Sequence, residues 1–82
     1  MTHDTPSLDT LRAMYPVASG SLTAAEMDRA SAYASKIADN LNALGTAHIN
    51  GYLDTMYTDR AIRLDTPVKR AAFALLLTMV DD

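Results

Sequence analysis

The stretch Leu22-Thr23-Ala24-Ala25-Glu26-Met27 decides how this chain folds. Thr23 and Glu26 have capping-box spacing. The Thr23 hydroxyl can accept from the Glu26 backbone N–H, while the Glu26 carboxylate accepts from the N–H of Thr23. Leu22 and Met27 flank the box as a hydrophobic staple. Apolar residues then recur at Met27, Ala30, Ala34, Ile37, Leu41 and Leu44, in alternating steps of three and four. That seam stays on one helix face for nearly three heptads. Gly45 follows where a C-terminal cap with positive φ belongs. The spacing predicts a helix over about 24–44.

Outward from this helix, the same start signals recur. Thr5-Pro6 reads as an N-cap followed by proline at the first helical position, and Leu8, Leu11 and Tyr15 share one face. Pro16 ends that short helix. Residues 17–21 form a loop of small residues. After Gly45, Thr46 can cap a third helix whose apolar face is Ile49, Leu53, Met56, Tyr57 and Leu64. Asn50-Gly51 interrupts it, so Gly51 is a second candidate start; a hairpin is rejected because the flanks do not alternate. Asp65-Thr66-Pro67 opens a last helix over about 67–80. The expected fold is all-α, a compact bundle of three to four helices forming a single domain over 1–82.

The last helix is apolar nearly all round. Val68, Ala71, Ala72, Leu75, Leu76 and Met79 make one face, and Phe73, Leu77 and Val80 a second, roughly opposite one. Such a helix must be buried nearly all round. Helix 1 is short and reads as a poor lid, so Phe73, Leu77 and Val80 are assigned to self-association, with a two-fold homodimer expected.

Composition narrows function mainly by exclusion. Of the 82 residues, 49% are hydrophobic but only 6% aromatic, which favours helices packed on Ala, Leu and Met over a sheet. The absence of cysteine removes disulfides, thiolate chemistry and Cys-based metal sites. The first residues have neither a basic region nor an apolar run, so no signal peptide is read. No apolar run approaches the ~18 residues of a membrane span. A cytoplasmic location is expected. His3 and His48 each lack a second ligand at helical spacing, and the three glycines form no phosphate loop. No metal, cofactor or catalytic residue is therefore expected, and the chain reads as non-enzymatic.

Ten acidic and seven basic residues give a net charge of −3. Four of the bases, Arg60, Arg63, Lys69 and Arg70, fall within eleven residues and are the candidate partner-binding cluster. Asp59 and Asp65 interleave with them, so ordinary surface ion pairing is the competing reading. Arg60 also falls on the apolar face of helix 3, which requires a carboxylate partner, a snorkelling side chain or a helix that stops before it. Residues 37–49 have a helix-turn-helix outline. The helix that would read bases, over 47–57, carries no Arg or Lys.

The sequence thus points to a small protein-interaction module, an adaptor or an inhibitor of a larger macromolecular machine. Small acidic inhibitors carried by phages and other mobile elements are one such class. The alternative is a dimeric DNA-binding regulator that places Arg60, Arg63, Lys69 and Arg70 on the duplex.

Overall fold

A computed structural model describes residues 6–17 and 22–80, and every element in them is helical. The order is α1 (Leu8–Met14), α2 (Ala24–Leu44), α3 (Thr46–Thr58), α4 (Arg60–Arg63) and α5 (Pro67–Met79). This is the all-α bundle with a long helix and an apolar C-terminal helix; the additional element, α4, is a single turn.

The predicted capping box is formed in full. Glu26 N donates to Thr23 Oγ1 at 3.1 Å, and Thr23 N donates to Glu26 Oε1 at 3.0 Å. The Thr23 backbone N–H, and after it the Thr23 side chain, holds the Glu26 carboxyl below its ordinary pKa. Thr66 accepts from Lys69 N at 3.2 Å with Pro67 opening α5, as its sequence demands. The start of α1 differs. Ser7 is its N-cap and Pro6 precedes the helix; Thr5 lies outside the described residues. Ser7 Oγ also lies 3.0 Å from Thr10 Oγ1.

One residue separates α2 from α3. Gly45 serves both as C-cap of α2 and N-cap of α3, with φ +104 and ψ 176. Only glycine adopts that backbone without strain. Thr46 is therefore the first helical residue and not a cap. Gly51 sits inside α3, where Thr55 Oγ1 donates to its carbonyl at 3.0 Å. The helix thus starts before Asn50-Gly51, not at it.

The core sits where α5 crosses α2. Ala30 packs with Ala71 and Ala72, small residues that let two helix backbones approach closely. Ala34, Ala38 and Leu41 continue the α2 seam into a larger cluster with Leu11, Ile49, Leu53, Leu64, Phe73 and Leu76. The seam fails at its end. Leu44 is 58% exposed, because α2 stops there and α3 turns away.

The second face of α5 is satisfied within one chain. Phe73, Leu77 and Val80 are 2%, 0% and 3% exposed. α1 is the lid that helix length alone argued against. Leu11 is fully buried, and the Tyr15 ring meets Phe73 edge-on at 5.3 Å. The Arg12 guanidinium fastens the lid, with Nε donating to the Leu77 carbonyl at 2.8 Å and Nη2 to that of Val80 at 3.5 Å. Asn42 of α2 donates to the Met79 carbonyl at 3.0 Å. A short helix covers the strip because its few contacts are large rings and charge-assisted bonds. Burial of Phe73, Leu77 and Val80 inside the chain removes the exposed strip from which self-association was inferred.

The capping box and the burial of the second α5 face each carry a measurable consequence. Thr23→Ala should lower stability by about 1 kcal/mol in equilibrium denaturation, the usual loss for an N-cap. Because the Glu26 pKa is depressed on folding, its contribution is present above the unfolded carboxyl pKa and fades as pH falls through the folded value. Glu26→Gln should therefore flatten the acid limb of the stability profile. At Leu77, an interface role would let Leu77→Asp yield a folded monomer. Full burial instead predicts loss of helical circular dichroism, with Leu77→Ala costing about 2–5 kcal/mol.

Candidate functional groove

An apolar groove of about 1000 Å³ lies between α2, α3, α4 and α5. Its floor is the buried α2–α5 contact, formed by Ala30, Ala34, Ala72, Phe73 and Leu76. Half-buried side chains make the walls: Ile37 from α2, Tyr52 and Met56 from α3, Val68 from α5. The rim is exposed and mixed. It carries Tyr33 (63% exposed) and Ile62 (73% exposed) together with Arg29, Asp59, Arg63 and Lys69.

Local sequence explains each wall. Arg29, Tyr33 and Ile37 are spaced by four on α2, so they climb one face beside the alanine seam. Tyr52 and Met56 are likewise four apart on α3. The α3 helix stops at Thr58, and the α4 turn then lifts Ile62 and Arg63 over the opening. Burial pushes the Tyr52 hydroxyl above its ordinary pKa; Tyr33 adds to the rise and Arg63 opposes it.

The four bases singled out from sequence divide into two pairs. Arg63 and Lys69 stand on the groove rim. Arg63 Nε lies 3.4 Å from Asp59 Oδ2, and Lys69 Nζ lies 3.0 Å from Asp65 Oδ1. The Lys69 bond holds the Asp65 carboxyl below its ordinary pKa. Both pairs are about half exposed and lie four residues apart on the chain, so each contributes little to stability. Arg60 and Arg70 point elsewhere. Arg60 stacks over the Tyr57 ring at 4.3 Å and donates to the Tyr57 carbonyl at 2.7 Å. Arg70 Nη1 donates to the Leu64 carbonyl at 3.0 Å, closing the turn before α5. Arg60 escapes the apolar face because α3 has already ended. The four bases thus do not form one continuous cationic surface.

Sequence reading missed Arg29, Tyr33, Tyr52 and Ile62. The available signal was the Arg29–Tyr33–Ile37 row, one step off the main seam. Only the tertiary fold places it opposite Tyr52 and Ile62. His48 is exposed at the start of α3, and His3 lies outside the described residues. Among the described residues, no three His, Asp or Glu side chains gather as metal ligands. Among them, too, no helix is long and apolar enough to cross a membrane. No family model, curated protein or solved structure matches the chain.

Tyr33 and Ile62 contribute exposed apolar area without supporting the core. Tyr33→Ala and Ile62→Ala should each change the unfolding free energy by less than about 0.5 kcal/mol, checked by urea denaturation. A larger loss would make the rim part of the folding core.

Proposed function

We propose that this chain is a non-catalytic interaction module that binds another protein through the α2–α3–α5 groove, acting as an adaptor or as an inhibitor of a larger assembly. One observation supports the reading above the rest. Two large apolar side chains, Tyr33 and Ile62, stand exposed on either side of a continuous apolar trough. Exposed apolar side chains that border a trough and are flanked by charged groups are a feature of protein-binding surfaces. The charged cluster first assigned to the partner enters this reading through Arg63 and Lys69, which stand on the same rim. Arg60 and Arg70 have intramolecular tasks and are not required for it. An inhibitor encoded by a phage or other mobile element remains a class suggested by size and acidity alone.

The DNA-binding alternative has less support. Arg60 and Arg70 bond backbone carbonyls of their own chain, while Arg63 and Lys69 already face carboxylates. A net charge of −3 adds long-range repulsion from phosphate.

Site-specific photocrosslinking separates the readings. A benzophenone amino acid replaces Tyr33 in the groove or Asn40 on the exposed side of α2, in the cell that makes the protein. Position 33 should give one discrete protein adduct that is lost with Ile62→Asp; position 40 should give none. Equal adducts from both positions, or none from position 33, would overturn the groove as the partner surface. Random duplex DNA should bind more weakly than micromolar at physiological salt. Tighter binding with a steep salt slope would favour the regulator.

A further inference from the structure

We infer that Asn50-Gly51 is a self-modification site gated by α3. When the first turns of α3 open, the Asn50 side chain closes on the Gly51 nitrogen, and the isoaspartyl product keeps the helix from re-forming in register. The inference is independent of what the groove binds.

The chain has three carboxamide side chains, Asn40, Asn42 and Asn50, and no glutamine. Of these, Asn50 alone precedes glycine. A following residue without Cβ leaves its nitrogen unhindered, so Asn-Gly is the asparagine sequence that cyclises most readily. Asn50 and Gly51 are both exposed, and a Cβ built on Gly51 would meet nothing within 4 Å. No neighbouring side chain shields the reacting atoms. Asn40 and Asn42 lie within α2 and precede Leu41 and Ala43. Asn42 is also held, donating to the Met79 carbonyl at 3.0 Å.

The reaction needs only water. The Gly51 nitrogen loses its proton and attacks Asn50 Cγ. A C–N bond forms, the Cγ–Nδ2 bond breaks and ammonia leaves. Water then opens the cyclic imide at either carbonyl. One opening gives aspartate; the other gives isoaspartate, whose backbone runs through the former side chain. One water is consumed for each ammonia released, and nothing is oxidised or reduced. The helix blocks the first step. Gly51 lies in the second turn of α3, where its N–H points at the Ala47 carbonyl in i→i−4 register and the Asn50 ψ is helical. Attack requires that bond to break and that torsion to turn. Conversion therefore proceeds from the locally open state.

Among α2, α3 and α5, the start of α3 is the least secured. α2 has its capping box, and α5 has the Thr66 cap followed by Pro67. α3 has no side-chain cap bond and no acid in its first turn. Gly51 weakens the helix interior relative to alanine. Thr55 Oγ1 bonds back to the Gly51 carbonyl at 3.0 Å, a contact that slightly destabilises a helix. Burial of Ile49 and Leu53, on either side of the reactive bond, holds this end down. Isoaspartate adds a methylene to the backbone between those two anchors, so they no longer share one helical face. A reversible opening becomes permanent, and the Tyr52–Met56 wall goes with it.

The test incubates the intact chain at mildly alkaline pH beside a free peptide of residues 46–58. Each asparagine is followed by peptide mapping with fragmentation that separates aspartate from isoaspartate. In the chain, Asn50 should convert at least about tenfold faster than Asn40 or Asn42, and at least about tenfold slower than in the peptide. Thr46→Asp places an acid in the first turn of α3 and should slow conversion in the chain about two- to fivefold. Gly51→Ala should suppress conversion in chain and peptide alike. The purified isoaspartyl form should lose helical circular dichroism and the amide protection of Ile49 and Leu53. Asn50→Asp, with the same charge and no added methylene, should keep both. Conversion as fast in the chain as in the peptide, or unchanged by Thr46→Asp, overturns the inference. So does first conversion at Asn40 or Asn42, no conversion at Asn50, or an isoaspartyl form that folds like Asn50→Asp.

Discussion

The close contact between α2 and α5 is the constraint on which the rest of the molecule depends. Ala30 meets Ala71 and Ala72 where bulkier residues would hold the helices apart. Close approach at that point lets Ala34 and Ala38 reach the cluster that contains Phe73, Leu76 and Leu77. It also leaves α5 surrounded, with α2 on one side and α1 on the other. The groove is the outer side of the same contact. Small side chains that bring two helices together also leave a shallow floor between the larger residues that flank them.

The fastening of α1 shows how a chain this small closes its core. A seven-residue helix has too few turns to hold itself in water. Its stability comes from what it touches. Tyr15 lies edge-on to Phe73, and the Arg12 guanidinium bonds carbonyls in the last turn of α5. Those carbonyls have no partner within the helix, and a cation there also complements the helix dipole. The same side chain thus ends α5 and anchors α1.

Legibility in the sequence followed the range of the interactions. The bounds of α2, its capping box and the Thr66-Pro67 start of α5 were readable, because caps act within three or four residues. Gly45 was recognisable as a stop but not as a joint that also starts α3. The cover over Phe73, Leu77 and Val80 is not legible in the sequence, because the seven-residue length of α1 says nothing of the ring contact and the Arg12 bonds by which it holds α5. Arg12 shows no sign in the sequence of reaching Leu77, sixty-five residues away. The groove was the least legible feature. Arg63 and Lys69 were picked out by charge, while Tyr33 and Ile62 gain meaning only from the tertiary fold. Arg60 and Arg70 had the right charge and the wrong neighbours.

The Gly45 joint sets where the α3 wall of the groove stands. α3 packs against α2 and α4, and its Ile49 and Leu53 reach the core cluster that holds Phe73 and Leu76 of α5. α2 and α5 form one jaw, locked by interdigitated alanines. α3 is the other jaw, and its connection to α2 is one residue whose φ is +104. The Gly45 torsions set the angle at which α3, and with it the Tyr52–Met56 wall, leaves α2, and Ile49 and Leu53 fix that angle by burying into the cluster that holds Phe73 and Leu76. A Cβ at this position would meet nothing within 4 Å, so space does not demand glycine here; the torsion does. An alanine at this position would press the joint toward another angle and carry the Tyr52–Met56 wall with it, against the anchoring of Ile49 and Leu53 in the core.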